Sequence, residues 1–161
     1  MILKKFLTVV FVLAVLAIAG WFYKAYRTVP VLPAYENNLT DEQGKPVKIA
    51  DFKGQYVLIS YFQTWCGTCI QELPSISELQ KIVGKDKLKV LLVSDEGMEK
   101  ILHFKERHNN ELDYYQSDKP LNAMSIRVFP TTYLLNKNGE VIFSKLEAYG
   151  WNSPEIVNMI K

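Results

Sequence analysis

Both cysteines of this 161-residue chain lie in one motif, Cys66-Gly67-Thr68-Cys69. Two thiols at this spacing can form a reversible disulfide: one thiolate attacks a partner disulfide, and the other thiol resolves the mixed disulfide that results. The motif follows an apolar, β-rich run and precedes a helical pattern, so the first cysteine is expected at a helix N-terminus. Unpaired backbone N–H groups and the helix dipole favour a thiolate there. The sequence therefore predicts Cys66 as the nucleophile and Cys69 as the resolving thiol.

Other uses of two cysteines fit the sequence less well. A disulfide that closes so short a loop removes little chain entropy and would stabilise a fold weakly. A zinc site needs two further ligands, and the only histidines, His103 and His108, lie five residues apart on a predicted exposed helix and so not on one face. Covalent haem attachment needs a histidine directly after the second cysteine, where Ile70 stands. A Cu(I)-binding chaperone, with one histidine folded back to the cysteines, is the non-redox alternative.

The elements around the motif predict an α/β fold with a mixed central sheet flanked by helices on both faces. Two apolar runs, 55–62 and 88–93, have the composition of strands buried on both sides. The remaining predicted elements are short strands on either side of a turn at 41–46, a strand at 112–115, a hairpin of 131–135 and 140–144, and helices from Cys66 to about 83, at 98–108, at 119–125 and at 153–161 with Ser153 as N-cap.

Three segments carry a family resemblance: GKPVKIADFKGQYVLISYFQTWCGTCIQELP, VFPTTYLLNKNGEV and the late Gly150. Over about residues 31–161 the chain resembles the thioredoxin-like proteins, in particular the membrane-anchored TlpA/ResA-type thiol–disulfide oxidoreductases. The resemblance implies that Pro130 forms a cis peptide bond, lies against the cysteine pair and exposes the Phe129 backbone for strand-like pairing with a substrate peptide. It also implies substrate contacts by Trp65, Phe129 and Thr131.

Beside the two cysteines, the resemblance assigns a catalytic role to Pro130 and to Glu72. Ordinary thioredoxins carry a buried Asp six residues before the first cysteine, where this chain has Ser60, whereas the ResA-type branch has a glutamate at the position of Glu72. A carboxylate one helical turn from the dithiol could hold or relay the proton that leaves Cys69. The alternative is a surface glutamate. The chain departs from the family at Thr68, where proline is common, and at Gln63, where a small residue is usual, which bears on the redox potential.

The N-terminal 27 residues predict a membrane segment. The uncharged run 6–23 would extend roughly 27 Å as a helix, close to the thickness of a bilayer core, and it ends in three aromatic residues. The alternative is a cleavable signal peptide with an A-x-A site at 17–19. Either interpretation delivers residues 28–161, predicted to be the thioredoxin-like domain with a linker at its start, to the extracytoplasmic side of a bacterial cytoplasmic membrane.

Charge restricts the other functions. The formal net charge of +2 comes from the basic residues of the N-terminal segment, and the rest of the chain carries slightly more acidic than basic side chains. No basic patch and no glycine-rich phosphate loop are present in the sequence, which argues against nucleic-acid binding and against any nucleotide cofactor. Acidic pairs such as Glu96 and Glu99 are predicted to be solvated helix charges.

The resemblance implies an enzyme that needs no cofactor and reduces protein disulfides, for example in cytochrome c maturation. Its electrons would come from a membrane protein that transfers thiol equivalents. A disulfide-forming oxidase is the alternative within the same class. A thiol peroxidase is a further alternative: peroxiredoxins place Pro and Thr before the reactive cysteine, and here Thr64 is present but no proline lies between Gly54 and Cys66.

Overall fold

A seven-stranded mixed sheet forms the centre of the structure, a computed structural model that describes residues 2–32 and 38–160. The strands are β1 (Asn38–Asp41), β2 (Pro46–Lys48), β3 (Tyr56–Tyr61), β4 (Leu88–Ser94), β5 (Tyr114–Ser117), β6 (Thr131–Leu135) and β7 (Val141–Leu146), and the α-helices are α1 (Ile2–Arg27), α2 (Gly67–Val83), α3 (Met98–His108) and α4 (Pro154–Ile160). The strand order is β2-β1-β5-β4-β3-β6-β7.

The strand that leads into the cysteine motif lies in the middle of this sheet. β3 pairs in parallel with β4 and antiparallel with β6, which follows Pro130. Ser60 lies opposite Thr132 and Tyr61 opposite Thr131 in the β3–β6 register. The β3 run is apolar because both of its faces are covered, and this arrangement brings the start of α2 and the start of β6 to the same end of the sheet.

Two apolar cores cover the two faces of the sheet. One core contains buried residues of α2, α3 and α4, among them Ile76, Phe104 and Ile156. Among the residues that the structure describes, the other core contains no buried residue of an α-helix; it is closed by two 3-10 helices, Ile49–Phe52 and Leu121–Met124, with residues 29 and 32 packed against it. The predicted α/β fold with a mixed sheet and flanking helices is confirmed, although short 3-10 turns replace α-helices on the second face.

Several details of these elements differ from the sequence prediction. β5 begins two residues later than expected, because its register is set by pairing with β1, in which Leu39 lies opposite Ser117. The helix expected at 119–125 is a single 3-10 turn. Ser153 does not cap α4 with its side chain: its hydroxyl is buried without a hydrogen-bond partner among residues 2–32 and 38–160, while its carbonyl accepts from the Val157 N–H.

The N-terminal helix α1 lies outside the two apolar cores. α1 includes a 21-residue stretch, Lys4–Lys24, with a mean hydropathy of 2.4, and none of it is buried inside the structure. By length and composition this helix is able to cross a membrane. Of the predicted linker at 28–37, residues 33–37 lie outside the described residues, whereas the Pro30 carbonyl accepts a hydrogen bond from the Tyr133 hydroxyl at 2.8 Å.

Candidate active site

The cysteine pair lies where the loop after β3 turns into α2. Cys66 is the N-cap residue of the helix, with an extended backbone, and is joined by a disulfide to Cys69, with 5.3 Å between the two Cα atoms. The Cys69 N–H points at the Cys66 sulfur, 3.2 Å away. The side chains are only 6% and 3% exposed, respectively. The predicted position of Cys66 at a helix N-terminus is confirmed, and an N–H donor there stabilises a thiolate.

The segment before β6 lies against this motif. The Phe129–Pro130 peptide bond is cis, as the resemblance implied, and Pro130 is buried. The Thr68 hydroxyl, between the two cysteines in sequence, donates a hydrogen bond to the Phe129 carbonyl at 3.2 Å. The same hydroxyl oxygen lies 3.3 Å from the Cys66 sulfur. Thr68 therefore connects the cysteine motif directly to the cis-proline segment.

An aromatic surface borders the disulfide on the solvent side. Trp65 is 73% exposed, and its ring meets the half-buried Phe129 ring edge-to-face with 6.1 Å between the ring centroids. Thr131, also predicted to contact substrate, is buried, and its hydroxyl donates to the Val128 carbonyl at 2.6 Å. Trp65 and Phe129 thus form an accessible apolar surface, whereas the Thr131 side chain is turned into the protein and is used internally.

Glu72 lies on the other side of the motif, inside the protein. It follows Cys69 by three residues, and both side chains lie on the buried face of α2. With only 1% of the residue exposed, burial raises the pKa of Glu72 from 4.5 to about 7, although hydrogen bonds from Trp151 and Thr132 partly oppose the rise. The alternative of a surface glutamate is wrong.

Hydroxyl groups from the sheet hold one oxygen of this carboxyl group. The Thr132 hydroxyl lies 3.0 Å from Glu72 Oε1 and 2.9 Å from the Ser60 hydroxyl, its partner in the β3–β6 register. A hydroxyl can donate once and also accept, so Thr132 can donate to an ionised Glu72 or accept from a protonated one by rotation of its O–H. Glu72 Oε2 has no hydrogen-bond partner in the described part of the chain. The site can hold a proton on this carboxyl group or release it.

Sequence reasoning missed Trp151. This residue is fully buried, its indole N–H donates to Glu72 Oε1, and its ring packs edge-to-face on Phe143 and Tyr149. The resemblance drew attention to Gly150 but not to its neighbour. The available signal was chemical: a buried tryptophan needs an acceptor for its N–H, and a buried carboxylate needs donors.

The loop between β3 and the cysteines is fixed by two acidic residues that follow β4. The Gln63 amide donates to Asp95 Oδ1 at 2.6 Å, which gives the unusual Gln63 a structural partner. The Thr64 N–H and hydroxyl donate to the two carboxylate oxygens of Glu96, at 2.6 and 3.0 Å. The prediction that Glu96 is a solvated helix charge is wrong, because Glu96 precedes α3 and accepts hydrogen bonds from the loop that leads to Trp65.

Both histidines lie on α3. His103 is exposed on α3, and the His108 ring packs on Phe104 with 4.5 Å between the ring centroids. Among residues 2–32 and 38–160, no group of three or more His, Cys, Asp or Glu side chains is arranged to hold a metal ion. Within the described part of the chain, the cysteine pair therefore has no further ligand beside it of the kind that the copper-chaperone alternative requires.

The sequence model of the AhpC/TSA family matches residues 32–150, about three quarters of the chain. This chain belongs to the AhpC/TSA family. The family member is 34% identical over 106 residues to the thiol-disulfide oxidoreductase ResA of Geobacillus kaustophilus, an alignment that covers 64% of this chain and 61% of that protein. The chain therefore matches less than two thirds of the length of that relative.

Two other similarities cover more of this AhpC/TSA family member. It is 29% identical over 150 residues to the thioredoxin-like protein YneN of Bacillus subtilis, across 86% of this chain and 88% of that protein. The crystal structure of a candidate thiol-disulfide oxidoreductase from Bacteroides vulgatus superposes with a TM-score of 0.66 at 29% identity, covering 81% of this chain and 94% of the other. The resemblance to thioredoxin-like, ResA-type proteins is thus confirmed.

Proposed function

We propose that this protein is a thiol–disulfide oxidoreductase that exchanges two electrons between its Cys66–Cys69 pair and disulfides in other proteins. The observation that carries the proposal is the position of the pair: a disulfide at a helix N-terminus, with an N–H directed at the Cys66 sulfur, next to the cis Phe129–Pro130 bond. Similarity to proteins named as thiol–disulfide oxidoreductases supports it.

In the reducing direction, the proposed reaction consists of two exchanges at sulfur. The Cys66 thiolate attacks one sulfur of the substrate disulfide, forms a mixed disulfide and releases the first substrate thiolate. The Cys69 thiolate then attacks the Cys66 sulfur, the mixed disulfide breaks, and the second substrate thiolate leaves. Two electrons pass from the protein dithiol to the substrate, whose two thiolates take up two protons, and the protein is left with the Cys66–Cys69 disulfide.

Glu72 is proposed as the base for the second exchange. Cys69 must lose its proton before it attacks, and it is buried away from bulk water. Glu72 lies one helical turn along α2, with one carboxylate oxygen unpartnered among the described residues and a pKa of about 7. A base whose pKa lies near the working pH is populated in both forms and transfers protons efficiently.

The aromatic surface of Trp65 and Phe129 is proposed as the docking site for the substrate peptide. Exposed aromatic side chains contribute large contact areas at low entropic cost. The backbone of Phe129, beside the cis-proline, offers polar groups for strand-like pairing with an extended peptide. Any contribution of Thr131 would come from its main chain, because its side chain is buried.

We further propose that α1 anchors the protein in the bacterial cytoplasmic membrane with the catalytic domain on the extracytoplasmic side. The apolar stretch Lys4–Lys24 supports this arrangement. A tethered domain of this kind would reduce disulfides in other proteins, and the proposed substrate class is the Cys-x-x-Cys-His segments of apocytochrome c. The domain itself would be reduced again by a dithiol of a membrane protein that transfers thiol equivalents. Protease treatment of intact and of lysed spheroplasts tests the orientation: the domain should be digested in both.

A redox titration of the purified full-length chain in detergent tests the activity and its direction. The protein is equilibrated in glutathione or dithiothreitol buffers, and the fraction of Cys66–Cys69 disulfide is measured by alkylation of free thiols and mass spectrometry. A midpoint near or below about −250 mV supports a reductant, whereas a midpoint near about −120 mV supports a disulfide donor. The absence of a reversible two-electron couple would contradict both.

A substrate assay then tests the proposed substrate class. Reduced protein is mixed with an oxidised peptide that contains Cys-x-x-Cys-His, and the rate of thiol appearance is compared with that for a peptide whose histidine is replaced by alanine. Faster reduction of the histidine peptide supports cytochrome c maturation. Equal rates would leave the protein a general reductant of disulfides and contradict the narrower proposal.

A further inference from the structure

The Thr68 hydroxyl has two acceptors within reach and only one proton to donate. Its oxygen is 3.2 Å from the Phe129 carbonyl oxygen and 3.3 Å from the Cys66 sulfur. In the disulfide state the sulfur is a weak, uncharged acceptor, whereas a carbonyl oxygen is a strong one. In this structure the Thr68 hydroxyl therefore donates its single hydrogen bond to the Phe129 carbonyl.

Reduction of the disulfide makes the Cys66 sulfur a stronger hydrogen-bond acceptor than the Phe129 carbonyl. The Cys66 sulfur becomes a thiolate, and a hydrogen bond to a charged acceptor is roughly twice as strong as one between neutral groups. The hydroxyl proton rotates freely about the Cβ–Oγ bond. Thr68 can therefore transfer its hydrogen bond from the carbonyl to the sulfur without a new rotamer, and it then adds a second donor to the Cys69 N–H that already points at Cys66.

We propose that Thr68 couples the redox state of the cysteine pair to substrate binding. When the Cys66–Cys69 disulfide is formed, the Thr68 hydroxyl donates to the Phe129 carbonyl. When Cys66 is a thiolate, the hydroxyl donates to the Cys66 sulfur instead, and the Phe129 carbonyl is free to accept an amide N–H from an extended substrate peptide. This inference rests on the proposed function and makes Thr68 a positioning residue that acts through Cys66 and Phe129.

The coupling would favour two steps of a reductive cycle, the binding of substrate and the release of product. The reduced protein, which needs an oxidised partner, presents an open acceptor beside the Trp65–Phe129 surface. Once Cys66 is bonded to another sulfur, first in the mixed disulfide and then in the protein disulfide, the hydroxyl returns to the Phe129 carbonyl and competes with the amide of the bound peptide, which favours release of the product. Thr68 is exposed at this edge of the site, so a peptide can reach the carbonyl that it releases. A proline at this position, common in the family that the sequence resembles, has no hydroxyl and cannot act in this way.

Peptide binding to the two redox states tests this inference. The probe is a short peptide with the Cys-x-x-Cys-His segment changed to Ser-x-x-Ser-His, which can dock but cannot react. It is titrated by calorimetry into the full-length chain in detergent, reduced or oxidised, for the parent protein, Thr68→Val and Thr68→Ser. Valine keeps the shape of threonine without the hydroxyl, and serine keeps the hydroxyl.

The parent protein and Thr68→Ser should bind the peptide about 3- to 10-fold more tightly when reduced, as expected for one hydrogen-bond acceptor gained. In Thr68→Val the ratio should fall to about one, because the oxidised form now binds as tightly as the reduced form. Binding with an unchanged ratio in Thr68→Val would overturn the inference and leave the proposed function standing. No binding to either state of any variant would overturn the inference together with the proposed docking surface.

A second readout follows the thiolate itself. The absorbance of the reduced protein at 240 nm, measured against pH, reports the ionisation of Cys66. Thr68→Val should raise the Cys66 pKa by about half a unit to one unit through loss of a charge-assisted donor, and Thr68→Ser should restore it. Thr68→Ala, which lacks both the hydroxyl and the valine methyl groups, should match Thr68→Val. An unchanged pKa in both variants would show that the hydroxyl does not move to the sulfur.

Discussion

The two sides of the disulfide have opposite environments. The outer side, formed by Trp65, Thr68 and Phe129, is open to solvent and contains an aromatic surface, a hydroxyl and a backbone carbonyl. The inner side, formed by Glu72, Thr132 and Trp151, is buried and contains the Glu72 carboxyl group. Of these two sets of residues, the outer one presents its aromatic side chains and hydroxyl toward solvent, whereas the inner one contains a carboxyl group that can hold a proton.

In the proposed mechanism, this division gives different roles to two cysteines that are only three residues apart. Cys66 is the N-cap residue of α2 and borders the outer side, as the proposed encounter with a partner disulfide requires. Cys69 lies one turn from Glu72 on the buried face, so it is placed to lose its proton inside the protein. A change on one side should therefore alter a different measurement from a change on the other.

The largest expected effect separates the two cysteines. Cys66→Ser should abolish reduction of substrate disulfides, because no nucleophile is left on the outer side. Cys69→Ser should retain the first exchange and accumulate a mixed disulfide between Cys66 and the substrate, because the resolving thiol is missing. Mass spectrometry of the unreduced reaction mixture distinguishes them. A stable mixed disulfide with Cys66→Ser instead would reverse the assignment.

Glu72→Gln should have the next largest effect on activity. Loss of a positioned base lowers turnover on the order of 100-fold. The rate of the second exchange in the parent protein should rise with pH through about 7, as Glu72 ionises, and this limb should be absent in the variant. Single-turnover measurements from the mixed disulfide isolate this step. The matched control is Glu78→Gln, an exposed glutamate on the same helix, which should keep the parent profile.

Glu72 also makes the stability of the oxidised protein depend on pH. Its pKa is raised in the folded state, from 4.5 to about 7, so the folded protein binds more protons than the unfolded chain between these values. The favourable contribution is therefore complete below about pH 4.5 and is lost as the pH rises to about 7, a difference of roughly 3 kcal/mol. Urea unfolding at pH 5 and pH 7.5 should show this loss in the parent protein and a much smaller one in Glu72→Gln.

Trp151→Phe should weaken the inner side without removing its carboxyl group. The indole N–H that donates to Glu72 is lost, so the pKa of Glu72 should rise further and the pH profile of the second exchange should shift to higher pH. Loss of one hydrogen bond to a buried charged group also costs about 1–3 kcal/mol of stability. Peptide binding on the outer side should be unchanged. A loss of binding with an unshifted profile would contradict the division of the site.

The sequence was informative about the outer side because local patterns determine most of it. The Cys66–Cys69 spacing, the strand before it and the helix after it are short-range features, and they placed Cys66 at a helix N-terminus correctly. The family resemblance added the cis bond at Pro130, which no composition or periodicity indicates. The predicted substrate contact of Thr131 stays a prediction, and it is restricted to the main chain because the Thr131 side chain is buried.

The inner side depends on contacts between residues that are far apart in the chain, and sequence patterns contain little information about these. Trp151 and Glu72 are 79 residues apart and meet only because α4 and α2 pack on the same face of the sheet. Glu96 lies in a polar segment that suggests a solvated charge, yet its carboxylate accepts from the Thr64 N–H across the ends of two strands. Both contacts follow from sheet order, which a local pattern does not specify.

Trp65→Ala should have the smallest effect on the stability of the folded protein, and it is the sharpest test of the outer side. Trp65 is 73% exposed, so its removal should change the free energy of unfolding by no more than about 0.5 kcal/mol. It nevertheless removes half of the aromatic surface, so KM for a disulfide peptide should rise about 3- to 10-fold, while the rate of the second exchange and its pH profile stay as in the parent protein. Trp65→Phe, which keeps a ring beside Phe129, should recover much of the loss in KM. If Trp65→Ala instead shifted the pH profile and left KM unchanged, the two sides would be coupled, and binding and proton transfer would no longer be separable across this disulfide.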